Sequence, residues 1–343
     1  MRIALTCATL IASLSLAAPV PALAAAHYHL AAQNRPAKLG PYNPVALTDF
    51  GLAAGTLYDS AANTYSAYYS AGRSFSDSDF CSAIGDPGGT ELNGISRDAA
   101  LTYTVGVCVN LEYGYVYNQT TNTTTEVKYP GAGLTRPYGV NASGTVVGEW
   151  DAGSTHGFSL AGGTYTSIDA PGADYTVALG VTDQDAIFGN YQVAPSAEYG
   201  FVLAASGLFT TINYPGSTTT LLAGMNSQNL AVGFYANSTS QFAFAWQNGT
   251  FMVPPLKHAT SSRATSVNDS GDVAGFYVDT SHTEYGFVWQ TTTNKVIKIK
   301  APKNTRDLAV NAINNTQAQI TGAYFTTAGS IGFIGTCTGT DCF

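Results

Sequence analysis

Residues 200–240 read GFVLAAS, GLFTTINYPGS, TTTLLAGMNSQN and LAVGFYANSTS in succession. Each piece carries a short run of β-branched or aromatic residues, and each run ends at Gly, Pro, Asn or Ser. Runs of this kind at intervals of roughly 8–12 residues mark the strands of an all-β sandwich, barrel or propeller. The turn Asn226-Ser-Gln-Asn229 between the last two runs has siblings at Asn141-Ala-Ser-Gly144 and Asn268-Asp-Ser-Gly271. An Asn opens such a turn by bonding its own backbone, and a closing Gly or Asn tolerates positive φ. The segment therefore predicts four short strands. After the N-terminal two dozen residues no stretch shows a sustained helical period.

The same pattern recurs along the chain. Gly114-Tyr115, Gly157-Phe158, Gly200-Phe201, Ala243-Phe244 and Gly286-Phe287 begin 43 residues apart, and Gly332-Phe333 follows after 46. A Pro-Gly turn recurs at Pro87, Pro130, Pro171 and Pro215, with decayed copies at Pro254-Pro255 and Pro302-Lys303. A strand-bound glycine recurs seven times, at Gly55, Gly106, Gly148, Gly189, Gly233, Gly275 and Gly322. Three anchors in fixed order define a repeat, and four strands in about 43 residues is the size of a propeller blade. Stacking such sheets removes apolar surface from water at roughly 25 cal/mol per Å². The 21 Tyr, 16 Phe and 3 Trp supply the packing volume between them.

The predicted fold is thus an all-β propeller of seven four-stranded blades, closed by N- and C-terminal strands that share one blade. With Gly-Phe taken as the start of each unit, Leu47–Tyr58 reads as strands three and four of the shared blade. Ile331–Ile334 reads as its strand one, and joining them leaves no exposed edge. Six blades with an irregular cap, or a β-solenoid, are the competing architectures.

The run Phe209-Thr-Thr-Ile-Asn-Tyr-Pro-Gly216, with Gly224-Met-Asn226 and Ala231-Val-Gly-Phe-Tyr235, resembles the bacterial extracellular HAF-type repeats. The resemblance covers most of the chain. It departs from the His-Ala-Phe of the name, showing His156-Gly157-Phe158 and Phe242-Ala243-Phe244 once each. It implies a repeat architecture and export, and it carries no catalytic residue with it.

Export is also legible at the N-terminus. Arg2 precedes an apolar stretch from Ile3 to Leu16, and Ala22-Leu23-Ala24 forms an A-x-A cleavage site. Residues 1–24 read as a signal peptide, 25–44 as an N-terminal extension and 45–343 as one propeller domain. No apolar run is long enough to span a bilayer as a helix. A secreted, monomeric product is expected. Cleavage leaves Cys81, Cys108, Cys337 and Cys342, an even number that in an exported chain predicts disulfides. Of three connectivities, Cys81–Cys108 and Cys337–Cys342 keep each pair within one local segment.

Only 10% of the 343 residues are charged, and 22 acids against 14 bases give a formal net charge of −8. Disordered and coiled-coil classes need more charge and fewer aromatics. A nucleic-acid partner would want a basic surface. No G-x-S-x-G, H-E-x-x-H or Gly-rich phosphate loop occurs, so no catalytic residue is assigned from motifs. The five scattered His and four Cys lack metal-ligand spacing, and no cofactor is implied. Ca²⁺ is weighed only at clustered acids and at Asn268-Asp-Ser-Gly-Asp272, which lacks the full series of alternating acids.

Three units share a triplet: Glu112-Tyr113-Gly114, Glu198-Tyr199-Gly200 and Glu284-Tyr285-Gly286. If that strand lies nearest the axis, these glutamates ring one mouth of the central channel. There they could bind sugar hydroxyls beside the tyrosines, bind Ca²⁺, or work as acid and base. The Pro-Gly loops should open on the same face. Arg136 and Arg263, at equivalent places, would join Lys128, Tyr129, Asp169 and Tyr214 in a polar, aromatic surface suited to glycans or peptides. Loop decoration kept by repeat duplication accounts for the same residues without any ligand. The function expected is binding of an extracellular polysaccharide, cell-surface component or protein. The alternatives are a polysaccharide lyase or hydrolase at the channel mouth and an adhesive repeat with no small-molecule site.

Overall fold

A computed structural model describes residues 27–33, 42–59, 64–71, 74–86, 89–98, 101–194, 196–316, 318–327, 329–339 and 342. The stretch read as a signal peptide lies outside them, as do Pro87 and Gly88. The described residues are all-β apart from one 3-10 turn at Cys81–Ile84. β1 (His27–Ala32) comes first in the chain. The next four strands, β2 (Tyr42–Leu47), β3 (Leu52–Asp59), β4 (Thr64–Ala71) and β5 (Ser74–Ser78), form an antiparallel meander. A second contains β6 (Thr90–Ile95), β7 (Tyr103–Cys108), β8 (Gly114–Asn118) and β9 (Thr123–Val127). The third contains β10 (Leu134–Val140), β11 (Val146–Asp151), β12 (Thr155–Ala161) and β13 (Thr164–Ile168).

The fourth contains β14 (Tyr175–Val181), β15 (Ile187–Val193), β16 (Ala197–Leu203) and β17 (Phe209–Ile212). The fifth contains β18 (Thr219–Met225), β19 (Ala231–Ala236), β20 (Gln241–Gln247) and β21 (Thr250–Met252). These two touch through a single parallel pair, Glu198 with Thr219. The sixth contains β22 (Ala259–Val267), β23 (Asp272–Asp279), β24 (Glu284–Gln290) and β25 (Lys295–Ile299). The last contains β26 (Arg306–Ile313), β27 (Ile320–Thr326) and β28 (Gly329–Thr338), and its fourth strand is β1.

The phase of the repeat differs from the sequence expectation. The Gly-aromatic strand is third in its meander, not first, and the Pro-Gly turns join the fourth strand of one sheet to the first of the next. Period alone does not set phase, because a cyclic shift leaves every anchor spacing unchanged. In consequence Leu47–Tyr58 belongs to β2 and β3 of a complete meander. Ile331–Ile334 lies in the third strand of the last meander, where Ala31 pairs with Ile334 and His27 with Thr338. Residues 25–44 are therefore more than an extension, since they contain β1 and the start of β2. The first and last meanders also meet side by side: Leu47 and Ala53 pack with Ala312 and Ile334.

The apolar clusters lie between successive meanders. Val232, Ala243 and Ala245 of the fifth pack with Ala264, Val273, Phe287 and Trp289 of the sixth. Ala274, Val288 and Ile299 of the sixth pack with Leu308, Val310 and Phe333 of the last. Cys81 and Cys108 are bonded with Cα atoms 5.5 Å apart, as are Cys337 and Cys342 at 5.7 Å. Both pairings match the sequence expectation.

The two strongest repeat anchors meet across one strand pair. Gly148 of β11 faces Phe158 of β12, and Gly106–Tyr115, Gly189–Phe201, Gly233–Phe244, Gly275–Phe287, Gly322–Phe333 and Gly55–Tyr68 are the same pair. All seven aromatic rings are fully buried. Each glycine also faces a bulge in the first strand, between residues such as Pro137 and Gly139 or Leu222 and Gly224. The bulge pushes a carbonyl inward, so that a Cβ on Gly233 would stand 1.9 Å from the Leu221 oxygen. On Gly148 it would stand 2.0 Å from the Arg136 oxygen and 2.8 Å from the Phe158 ring. Only glycine leaves room for the bulge and for the ring laid over it.

A second repeated device sits at the turn after each first strand. The Oδ1 atoms of Asn141, Asn226, Asn268 and Asn314 accept the N–H groups of Thr145, Leu230, Asp272 and Gln319. The freed amide nitrogen then reaches the neighbouring meander: Asn141 donates to Thr182 O at 3.0 Å, Asn226 to Asn268 O at 2.9 Å and Asn268 to Asn314 O at 3.2 Å. Asn314 donates to Thr48 O at 3.3 Å, linking the last meander to the first. These amides are buried, where an unmade hydrogen bond costs about 1–3 kcal/mol.

Gly233→Ala is expected to lower stability by about 1–3 kcal/mol through overpacking against backbone. Phe244→Ala should cost about 3–5 kcal/mol through the cavity it leaves. Urea midpoints measure both, and a Gly233→Ala protein as stable as wild type would show that the bulge can relax.

Candidate functional site

The first strands of the meanders converge at the end where these turns lie. Residues 45–47, 94–95, 138–140, 180–181, 223–225, 265–266 and 311–312 line a cavity of about 260 Å³ there. Several of its polar side chains come from the residue after a turn-opening position. Asp183 accepts the Ala142 N–H at 3.0 Å, Asp269 the Ser227 N–H at 2.9 Å and Asp49 the Asn315 N–H at 2.8 Å. The second meander places Arg97 at this position instead. Its guanidinium crosses to the sixth meander, donating to Val267 O at 3.1 Å and Ser266 Oγ at 3.4 Å. Burial pulls the Arg97 guanidinium down from its usual value, while Asp49, Asp269 and Asp183 push it back up. Arginine stays charged under such opposing pulls. Asp98 lies on the same lining with its carboxylate turned to Thr102, so three carboxylates act on one guanidinium.

The triplet glutamates lie elsewhere. Glu112, Glu198 and Glu284 stand at the start of third strands in the second, fourth and sixth meanders, at the opposite end from the cavity. They occupy three separate sheets, and each abuts the first strand of the next meander. Glu198 accepts from Tyr175 Oη and Thr219 Oγ1, both at 3.4 Å, and the Glu112 carbonyl accepts the Thr135 N–H at 2.7 Å. Burial, with Asp307 nearby, raises the Glu284 carboxyl above its usual range, and the Leu308 N–H it accepts works the other way. A ring of acids at the channel mouth, the basis of the lyase or hydrolase reading, is not what these residues form. The expectation depended on the strand phase, and that phase was shifted by half a blade.

The neighbouring tyrosines take part in cross-strand packing. Tyr199 lies 5.5 Å from Tyr191, and Tyr285 the same distance from Tyr277 with the Lys298 ammonium 3.3 Å above its ring. The Lys128 ammonium sits 4.8 Å over Tyr113. Arg136 pairs with Glu149 at 3.2 Å, while Arg263 bonds Gln241 at 2.8 Å and covers the Phe234 ring. The two arginines serve different sheets. The Pro-Gly turns that are described do open at the same end as the glutamates. There Tyr129 stacks on Trp150 and Tyr214 on Tyr235.

In the Asn268–Asp272 turn, Asp272 bonds Asn268 and Asp269 caps Ser227, so the two acids diverge. Among the described residues no three His, Cys, Asp or Glu cluster as a metal site. Reading for motifs missed Arg97 and Asp49. Counting seven residues back from Gly55, Gly148, Gly189, Gly233 and Gly275 lands on the turn-opening residue each time. The second meander breaks that count by inserting residues before Tyr103.

No protein-family model matches the chain, and no curated protein does either. Solved structures do. A puromycin-hydrolyzing peptidase of Mycobacterium tuberculosis superposes with a TM-score of 0.62 at 9% identity, over 87% of this chain and 51% of that one. A puromycin hydrolase gives 0.60 at 9% identity, over 90% and 54%. The acylaminoacyl peptidase of Pyrococcus horikoshii gives 0.58 at 8% identity, over 87% and 51%. This chain spans about half the length of each. At such identities the likeness is one of fold, and the fold is a β-propeller. No described helix is long and apolar enough to cross a membrane.

The Glu284 carboxyl makes a pH-dependent contribution whose sign follows from its raised folded pKa. The folded state holds the proton more tightly than the unfolded chain, so stability from this group falls as pH rises from the unfolded carboxylate pKa through the folded one. Glu284→Gln is therefore expected to exceed wild type in stability at neutral pH. The difference should close below the ordinary carboxylate range. Equal urea midpoints at pH 7 would contradict this assignment.

Proposed function

We propose that this chain is an exported HAF-type repeat protein, a closed ring of seven blades that binds an extracellular glycan at its channel mouth. The arrangement of Arg97 among Asp49, Asp183 and Asp269 carries the reading. Carboxylates, a guanidinium and side-chain amides are planar groups with paired donors or acceptors, and such groups match vicinal hydroxyls two at a time. The cavity of about 260 Å³ is at the small end of ligand sites, suited to one sugar residue or a chain end rather than a long polymer segment. Two disulfides and the N-terminal A-x-A signal support export. Ring closure is supported by the β1–β28 pairing and by the hydrogen bond from Asn314 to Thr48.

A glycan array probed with the mature protein should yield a restricted set of binders, and Arg97→Ala should weaken them at least tenfold while the protein stays folded by circular dichroism. Folded wild-type protein that retains no glycan, or an Arg97→Ala protein that binds as well, would dismiss the reading. The ring has its own test. Removing residues 1–33 takes away β1 and uncovers the β28 edge, which should lower Tm and promote association through the open strand. A truncated protein with unchanged Tm and monodisperse behaviour would exclude closure by β1.

A further inference from the structure

One meander breaks the repeat in a chemically specific way. The residue two before the buried third-strand ring is aromatic or apolar in five siblings, Tyr113, Tyr199, Phe242, Tyr285 and Ile331, and is Ser66 in the first meander. In three of them its ring packs at a tilt against a second-strand ring: Tyr199 against Tyr191, Phe242 against Tyr235 and Tyr285 against Tyr277. In the third meander it is His156. The imidazole keeps this ring contact and lies flatter, 4.6 Å from Trp150 with 22° between planes, and Tyr129 stacks on Trp150 at 4.1 Å. The ring plane is thereby held by packing, while two nitrogens replace an apolar edge.

Both nitrogens have partners. Nδ1 lies 2.5 Å from Asp169 Oδ1, and Nε2 lies 2.7 Å from Ser154 Oγ. Ser167 Oγ donates to the second Asp169 oxygen at 2.9 Å. The siblings of Asp169, one residue past the strand partner of the glycine, are Lys128, Asn213 and Lys300. By the same register the first meander carries Asp79 at this place, beside no imidazole, so the third meander is the copy in which carboxylate and imidazole meet. Aspartate on Nδ1 selects the tautomer whose Nε2 accepts from the serine hydroxyl, which is the arrangement that activates serine in hydrolases of unrelated folds.

We propose that Ser154, His156 and Asp169 form a hydrolytic triad for carboxylic esters presented at a surface. Ser154 is exposed and the channel cavity lies at the opposite end of the blades, so the substrate is an acyl group borne by something larger rather than a molecule enclosed by the protein. The Ser154 Oγ lone pair forms a bond to the ester carbonyl carbon as its proton passes to His156 Nε2. The carbonyl π pair moves to oxygen and returns as the carbon–oxygen bond to the alcohol breaks, and the leaving alkoxide takes the proton from Nε2. Water then attacks the acyl-serine, giving its proton to Nε2. Release of the carboxylic acid returns the proton to Ser154. Ser154 and His156 are the catalytic residues, and Asp169 is a positioning residue. The proposal is independent of glycan binding at the channel mouth.

A fluorophosphonate probe and p-nitrophenyl acetate test it on the mature protein. The probe should attach to Ser154, located by peptide mass spectrometry, and acetate release should show an acyl-enzyme burst. Ser154→Ala should lose both signals. His156→Phe, which copies Phe242 and so keeps the stack and the melting temperature, should lower the acylation rate by about 10²-fold or more. Asp169→Asn should lower kcat with little change in KM, and Asp169→Glu should recover part of it. Folded wild type that takes no label, or a His156→Phe protein that labels as fast as wild type, would overturn the triad.

Discussion

Each sheet is organised around a contact between something missing and something large: a glycine that vacates space on the second strand and an aromatic ring on the third that fills it. The bulge in the first strand is the reason the space must be vacant, because its carbonyl occupies the place of a side chain. Glycine weakens a strand through its conformational freedom and lack of side chain. The ring over it restores the lost contacts and buries about 150–250 Å² of aromatic surface. Seven such pairs set the register of every meander, since a slip of one residue would drive a ring into a strand with no opening. The bulge also strengthens local twist, and that twist splays successive sheets so that their first strands approach one another.

Between sheets the cohesion has two parts of different character. The apolar clusters are extensive and forgiving, because volume can be exchanged between neighbouring aliphatic side chains. The buried amides at the first turns are few and exacting. Each asparagine satisfies its own turn with one atom and an adjacent sheet with another, so the turn geometry and the sheet spacing are coupled. Where the position is Thr48, Ser96 or Thr182, the hydroxyl caps its own turn and no amide is left to reach across. Arg97 enters the lining from one of those sheets, and its long side chain spans to the sixth meander. The polar mouth therefore grows out of the device that spaces the blades.

The all-β class, the four-stranded repeat and both disulfides were legible because they rest on local chemistry: turn residues, strand alternation and the positions of cysteines. The strand phase was not legible from the repeat, since the 43-residue period is the same wherever counting begins. That one shift moved Glu112, Glu198 and Glu284 from an expected inner strand to the third strands of three sheets. Tyr28 and Leu30 packing against the last meander escaped for a different reason. β1 is a single short strand with no repeat anchor of its own, and only its distant partner β28 explains it. Arg97 escaped because the insertion before Tyr103 breaks the spacing that would have aligned it with Asp49 and Asp183.

In a repeat protein the shared residues describe the scaffold, and departures from the repeat are where a particular chemistry can be recognised. Arg97 and His156 are both departures, and they differ in kind. Arg97 stands where Asp49, Asp183 and Asp269 each cap an adjacent sheet, and it exchanges that short link for a longer one to the sixth meander, putting a cation into an acidic mouth. His156 replaces an aromatic ring by another flat ring, so the stack with Trp150 survives and the scaffold loses little. A substitution that conserves packing while adding two hydrogen-bonding atoms has no structural need of Ser154 or Asp169, because the sibling rings at Tyr199, Phe242 and Tyr285 pack on their sheets without such partners. The coincidence of serine, imidazole and carboxylate in that one copy thus goes beyond what blade stability requires.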